Sequence, residues 1–531
     1  MSNNKQSNSA LATLVTVFFF WGFIAASNGI FIPFCKKFFN LSQFQSQLID
    51  TAFYGAYFIG SYLLFLSTAL TKIDLLNKIG YKKGIIVGLF ISICGAALMI
   101  PAVDSGSFYF ILSAFFVIAL GFSLQQTSAQ PFAISLGDPS TGSHRLNLGG
   151  SVNSFGTTVG PLIVSIALFG SIKAGVSAEA DINQIKMLYM IVGGVFLLAA
   201  LIFIFSKKLP ASNFDEHVES SPKALMSLTS LTIALILIAS IGQTDIFSKL
   251  QLSAIALVVV LLVLFYSYNQ ASKNGEGWGA MKYPQLILGM LGIFTYVGVE
   301  VTIQSNLGAL LKTPEFGAYD ESKMSHFISL YWGSLMIGRW TAAISVFNLS
   351  KKIKQIMTVV VPFIAFGVII LVNNVRGNDM SDLYSYVICI AILIAGIFYG
   401  QDKPIKTLFT LSVLATIAMI IGIMTTGMIA TYALLAGGLF CSIMWPSIFS
   451  LGVAGLGKYT SEGSAFLIMM ILGGAIIPPL QGAIADTNIG IHNSYIVAVV
   501  CFVFLAWIAS QMKTVLKSQG LDFDTQIGGG H

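Results

Sequence analysis

Apolar residues fill this chain in sixteen blocks, near 12–34, 45–68, 83–101, 107–136, 147–170, 186–206, 224–242, 251–268, 285–311, 325–347, 355–374, 383–400, 405–426, 428–451, 463–484 and 493–512. Most are about twenty residues long, enough at about 1.5 Å per residue to cross a hydrocarbon layer of about 30 Å as a helix. They lack the ten-residue alternation of an outer-membrane barrel. The pattern predicts an all-α polytopic membrane protein. The polar start MSNNKQSNSA has no cleavage site, so the first block is expected to be a retained span. The terminal TQIGGGH is set outside the fold.

Loops between the blocks alternate in Lys and Arg content. With the N-terminus in the cytoplasm, Lys72, Lys78, Lys82, Lys83, Arg145, Lys207, Lys208, Lys351, Lys352 and Lys354 all fall on the inner side, as the positive-inside rule asks. Lys36, Lys37, Lys173, Lys186 and Lys312 stand against the bias. Two segments repeat: QPFAISLG ending at Gly137 and WPSIFSLG ending at Gly452, with Pro131 and Pro446 at the same place in each. GPL at 160–162 recurs as PPL at 478–480 at nearly the same offset, whereas YFIG at 57–60 and SLMIG at 334–338 lie closer together. The second half is therefore longer by about one helical hairpin. Repeated halves mark secondary transporters, whose substrate site lies near mid-membrane at the repeat interface. The expected organisation is a six-helix half over 1–210, an inserted hairpin and linker over 211–275, a second six-helix half over 276–517 with its own inserted hairpin near 355–400, and a tail over 518–531. Alternatively, one weak block lies on the membrane surface or re-enters.

Polar residues inside the blocks are few. Ser27, Asn28 and Gly29 lie in the first block, and Asp50, Tyr54 and Tyr57 in the second. The fourth holds Gln125, Gln126, Thr127, Ser128 and Gln130 before Pro131. The fifth holds Asn147, Ser151, Asn153 and Ser154, and the ninth Glu300, Thr302, Gln304, Ser305 and Asn306. Arg339, Trp445 and Gln481 mark the tenth, fourteenth and fifteenth. An unpaired amide in hydrocarbon is costly, so these groups either bond neighbouring helices or line a wet cavity. Amides and hydroxyls among aromatic rings suit a neutral polyol, because a sugar hydroxyl both donates and accepts, as Asn and Gln do. An anion or peptide carrier is expected to show intramembrane Arg or Lys. Only Arg339 is deep, about 21 Å along a span running inward, which suits a gate or loop contact. Gln126 and Gln130 are four apart and share a helix face, while Gln125 and Ser128 share an adjacent one. Gln126 is the first ligand candidate; Gln125 stays open between ligand and helix glue.

Charged residues make up 9% of the 531 positions, against about a quarter in soluble domains. The net charge of +6 sits at block ends and implies no nucleic-acid partner. Cys35, Cys94, Cys389, Cys441 and Cys501 have neither metal nor disulfide spacing. No cofactor or metal is expected. No block carries a nucleophile–base pair, so the chain does not read as an enzyme.

Several stretches are recognisable together: FFFWGF at 18–23, FQSQLIDTAFYGAYFIG at 44–60, IGYKKGIIVGL at 79–89, SLGDPSTGSHRLNL at 135–148, VNSFGTTVGP at 152–161, YVGVEVTIQS at 296–305, MIGRW at 336–340 and SIMWPSIFSLGVAGLGKYTSEGS at 442–464. They span both halves, and the chain resembles the fucose–galactose–glucose symporter branch of the major facilitator superfamily. The resemblance implies the major facilitator fold of two pseudo-symmetric six-helix halves, here with two extra hairpins and about 16 transmembrane helices. It also implies uptake of a hexose or deoxyhexose by alternating access. In that branch an Asp of helix 1 and a Glu of helix 4 serve proton coupling and sugar recognition. The matching positions here are Gly29 and Gln126, both neutral. Gln130 stands where the branch often has Asn, and Gly150 where it has Gln. Asn153 matches a sugar-contacting Asn of helix 5, and Asn28 the Asn before the missing Asp.

The expected sugar contacts are Gln126, Asn153 and Asn28, with Gln125, Gln130, Tyr54 and Tyr57 near them, and Gln304, Asn306 and Trp445 from the second half. Arg339, Arg145 and Asn147 are expected to gate or to hold the structure. Glu300 and Asp50, acids inside core blocks, are the coupling candidates: a desolvated carboxyl can take H⁺ near neutral pH, or Na⁺ can bind at Glu300 with Thr302 and Ser305. The alternative is an acid bonded to a neighbouring helix. An uncoupled uniporter or exporter is the alternative to symport. The expected setting is the bacterial cytoplasmic membrane, with both termini inside, and a monomer whose partners are a monosaccharide, H⁺ or Na⁺, and the bilayer.

Overall fold

The computed structural model describes residues 8–24, 35, 39, 43–169, 182–210, 215–242, 246–319, 321–347 and 349–523. Asn28 lies outside the described residues, and Asp50 belongs to a described helix while its side chain does not. Among the described residues there is no strand, and one isolated bridge pairs Ile73 with His217.

Among the described residues sixteen long helices follow the apolar blocks closely. They are α1 (Asn8–Ile24), α2 (Gln43–Thr71), α3 (Tyr81–Asp104), α4 (Phe108–Ser135), α5 (Gly142–Phe169), α6 (Ile182–Phe205), α7 (Pro222–Ile241), α8 (Lys249–Lys273), α9 (Pro284–Leu311), α10 (Glu321–Ala343), α11 (Lys351–Val375), α12 (Ser381–Gly400), α13 (Pro404–Met424), α14 (Gly427–Gly452), α15 (Gly457–Ala485) and α16 (Gly490–Ser518). Thirteen of them are long and apolar enough to cross a membrane. The other three are α1, short over its described residues, and α5 and α10, which carry many of the polar positions.

Local signals start these helices. Pro222, Pro284 and Pro404 open α7, α9 and α13, where the missing N–H costs nothing. Ser248 and Gln251 form a reciprocal capping box at α8. Proline also breaks them. Helix α14 is interrupted between Cys441 and Met444, just ahead of Pro446, because the ring removes a donor and clashes one turn back.

The chain forms two compact units, each assembled from separate stretches. The first holds Met1–Ser61, Ile79–Asn213 and Ser325–Val387; the second holds Tyr62–Lys78, Phe214–Met324 and Ile388–His531. In the first unit α3 packs along α4 and α6; in the second α13 packs along α14 and α16. One packing pattern, a helix against two others that follow it in the chain, thus occurs in both units. The four hairpin helices α7, α8, α11 and α12 have 28, 22, 33 and 33% of their central windows buried, against 39–89% for the other nine apolar spans.

Glycine sets the closest approaches. A Cβ at Gly22 of α1 would overlap the Asn153 carbonyl oxygen of α5, and one at Gly473 of α15 would overlap the Phe294 carbonyl oxygen of α9. Each contact lies inside one unit.

Candidate functional site

In the first unit the polar run of α4 divides its labour. Thr127 and Ser128 return their hydroxyls to Ser123 and Leu124 carbonyls, both at 2.8 Å. Gln125 is buried at a junction of three helices: its Oε1 accepts from Trp21 Nε1 of α1 at 2.7 Å, and its Nε2 donates to Ser92 Oγ of α3 at 3.0 Å. Gln130, also buried, has an Oε1 that meets no donor among the described residues. Gln126 is half-buried, with Nε2 2.9 Å from Tyr57 Oη of α2. Tyr57 lies edge-on to Phe53, as does the half-buried Tyr54. The structure therefore brings Gln126, Tyr57 and Tyr54 together and turns Gln125 another way.

Half-buried Asn153 of α5 donates from Nδ2 to the Phe18 carbonyl at 3.1 Å, a contact that the α1–α5 glycine approach allows. Asn147 donates to Ser143 O at 2.9 Å, and its buried Oδ1 meets no donor among the described residues. Arg145 is a clamp: Nε donates to Ala133 O at 2.8 Å, Nη2 to Ile134 O at 2.6 Å and to Asp138 O at 2.7 Å, and Nη1 to Thr141 Oγ1 at 2.8 Å. It satisfies carbonyls that the end of α4 leaves open. Arg339 of α10 lies over Gly150 and donates to Ser154 Oγ at 2.9 Å; the neighbouring Trp340 Nε1 donates to Ser151 O at 3.1 Å.

In the second unit the Glu300 carboxylate accepts from Tyr296 Oη at 2.7 Å, one turn back along α9. The Tyr296 ring lies 6.0 Å from that of Trp445, which stacks on Phe449. Gln304, four residues after Glu300, shares its face and is half-buried. Thr302 stands about 200° around the helix from Glu300, with its hydroxyl buried and without a partner among the described residues. Ser305 is exposed and returns its hydroxyl to Val301 O at 2.8 Å. Asn306 faces α15, donating to Gln481 Oε1 at 2.9 Å, and Gln481 Nε2 in turn donates to Ser494 Oγ at 3.1 Å.

A further polar cluster of this unit went unmarked in the sequence. Asp74, between α2 and α3, accepts from Asn77 N and Ser461 Oγ, each at 2.9 Å. Asn77 Nδ2 donates to Asp215 O at 3.1 Å and Lys458 O at 2.9 Å. Beside it, buried Glu462 accepts from Ala280 N at 3.0 Å. Gly279 permits that bond: its φ is +54° and any Cβ there would crowd Glu462 Oε1. Burial pushes the Asp74 carboxyl above its ordinary value despite the bonds from Asn77 and Ser461. The available signal was an acid set in the greasy run KIDLL.

No profile of a known protein family matches the chain. The crystal structure of a major facilitator superfamily transporter, FucP, in the outward conformation superimposes with a TM-score of 0.65 at 23% identity, over 96% of this chain and 99% of that one. The fold is that of the major facilitator superfamily. A glucose/galactose transporter of Brucella abortus is 32% identical over 507 residues, 95% of this chain and 94% of that protein. A putative glucose/galactose transporter of Helicobacter pylori is 30% identical over 515 residues, and an L-fucose-proton symporter of Escherichia coli is 27% identical over 505, covering 92% of this chain and 90% of that protein. The chain belongs to the glucose/galactose transporter family.

Proposed function

We propose that this protein imports a neutral monosaccharide, a hexose or deoxyhexose, across the bacterial cytoplasmic membrane by cation symport. The relatives named as glucose/galactose transporters and L-fucose-proton symporters support the substrate class. The observation that carries the reading is chemical. Three of the proposed sugar contacts are half-buried carboxamides: Gln126 bonded to Tyr57, Asn153 on α5, and Gln304 one turn along α9 from the Glu300–Tyr296 pair near Trp445. Such groups match hydroxyls and the apolar face of a sugar ring. Asn28 belongs to the same proposal, as do the halves 1–210 and 276–517 as the bodies that rock, a monomeric state, and both termini in the cytoplasm.

Glu300 is the proposed coupling group, with Asp50 as its second. A proton suits Glu300 better than Na⁺. Thr302 faces away and Ser305 is spent on its own helix, so neither completes an oxygen cage about the carboxylate. The neutral residues at positions 29 and 126 favour a second reading, facilitated transport without coupling. Proteoliposomes given an imposed pH gradient or an imposed Na⁺ gradient separate the two. The expected result is sugar accumulation driven by the pH gradient and lost in Glu300→Gln, with exchange of sugar retained. Accumulation by Glu300→Gln at the parent level would remove Glu300 from the role. A parent protein driven by neither gradient would be a uniporter.

A further inference from the structure

The Gln126–Tyr57 pair has a direction that its 2.9 Å separation leaves open. A carboxamide turned by half a revolution keeps its shape and exchanges its nitrogen for its oxygen. Tyr57 decides between the two orientations. Its ring is buried, and among the described residues its hydroxyl has a single hydrogen-bond partner, the Gln126 side chain. A phenol carries one proton to donate. If Gln126 offered its N–H to Tyr57, that buried proton would meet no acceptor among the described residues, and an unmet buried donor is expensive. If Gln126 offers its Oε1, the phenol is satisfied and the NH₂ group faces away from Tyr57. Gln126 itself is only half-buried and meets no other protein group among the described residues.

Resting on the reading that Gln126 touches the sugar, we propose that Tyr57 is a positioning residue that holds Gln126 with its NH₂ toward the substrate, so that Gln126 recognises a sugar hydroxyl as an acceptor. Asn153 has the opposite polarity. Its Nδ2 is committed to the Phe18 backbone carbonyl, which cannot donate, so its nitrogen edge is fixed and its Oδ1 is the group left without a protein donor among the described residues. The two amides divide recognition: one gives a hydrogen to the sugar and the other takes one. That requires a ligand with hydroxyls of both uses on one rigid ring.

Fluorine tests this, because it replaces a hydroxyl in size and can accept weakly but cannot donate. Calorimetry with the full-length protein would use D-glucose or D-galactose, whichever binds, and its monodeoxy and monodeoxyfluoro analogues at each ring position. The position facing Gln126 is the one at which Gln126→Ala no longer distinguishes the deoxy analogue from the parent sugar. At that position the unmodified protein should lose roughly 5–150-fold for the deoxy analogue and recover a substantial part of that loss for the fluoro analogue. At the position assigned the same way to Asn153, fluoro and deoxy analogues should be equally weak. Tyr57→Phe should weaken the parent sugar roughly 5-fold or more while leaving unchanged the analogue that lacks the Gln126-facing hydroxyl; a packing role alone would weaken both alike. A fluoro analogue as weak as the deoxy one at the Gln126 position, or a Tyr57→Phe loss shared by every analogue, overturns the proposal and leaves the sugar contact standing. If Gln126→Ala alters discrimination at no ring position, the contact itself is refuted, and the proposal with it.

Discussion

Gln125 turns into the junction of α1, α3 and α4, where Trp21 and Ser92 use both ends of its amide. Gln126 turns to Tyr57 alone. One residue step rotates a helix by about 100°, enough to send adjacent, chemically identical side chains to different tasks. Gln125→Ala should therefore cost stability, about 1–3 kcal/mol for the Trp21 N–H left unmet, read as a lower thermal midpoint in detergent. Gln126→Ala also takes away the partner of the Tyr57 hydroxyl, so the midpoint does not separate the two; sugar affinity does, changing in Gln126→Ala and staying near the parent value in Gln125→Ala. The reverse pattern would mean that the two roles are exchanged. The sequence limited these residues to two adjoining faces and could go no further, because choosing between faces needs the neighbours, and Trp21 lies 104 residues away. Arg145 is a similar case: its residue type suggested a gate or a structural role, and only its four acceptors at the end of α4 show a cap.

At the scale of elements, the apolar blocks and the helices agree to within a few residues along most of the chain, because twenty apolar residues in a membrane have few other ways to satisfy their backbone. What the blocks hid lies between them. The 72–78 segment is held against the start of α15 by Asp74 and Asn77, partners 387 and 381 residues distant. No local pattern carries a pairing of that range. It has a consequence for pH. The Asp74 carboxyl sits above the ordinary 3.8 because burial penalises its charge. The folded protein then holds that proton more tightly than the unfolded chain, and its stabilising share, present in full below the unfolded value, is lost as pH rises through the folded one. Asp74→Asn keeps an oxygen for Asn77 and Ser461 and has nothing to titrate. Thermal unfolding of this variant across the acidic to neutral range should show a shallower decline with rising pH than the parent. A parallel profile would mean that Asp74 does not contribute to the slope.

For the whole molecule, sixteen spans would return the chain to the side on which it began. Lys312, after α9, and Lys354, at the start of α11, then lie on opposite faces of the membrane. In a background with the five native cysteines replaced, Lys312→Cys should react with an impermeant maleimide in intact cells, and Lys354→Cys only after lysis. The opposite result would invert the proposed topology. Composition and repeats made the fold legible, since they act over hundreds of residues at once. The sugar contacts were legible only as a short list, since a polar residue inside a span reads the same whether it faces water or another helix.

Gly22 under Asn153 and Gly473 against Phe294 also bear on how such a protein can move. Two helices whose backbones touch at a glycine cannot slide along each other: a shift of one turn, about 5.4 Å, would bring Phe18 or Phe19, or Met469 or Ile477, into the space that only a hydrogen atom fits. Shear is closed to α1 against α5 and to α9 against α15. What stays open to each pair is to turn as a single plank, the motion of a body about a hinge and not of one helix past another.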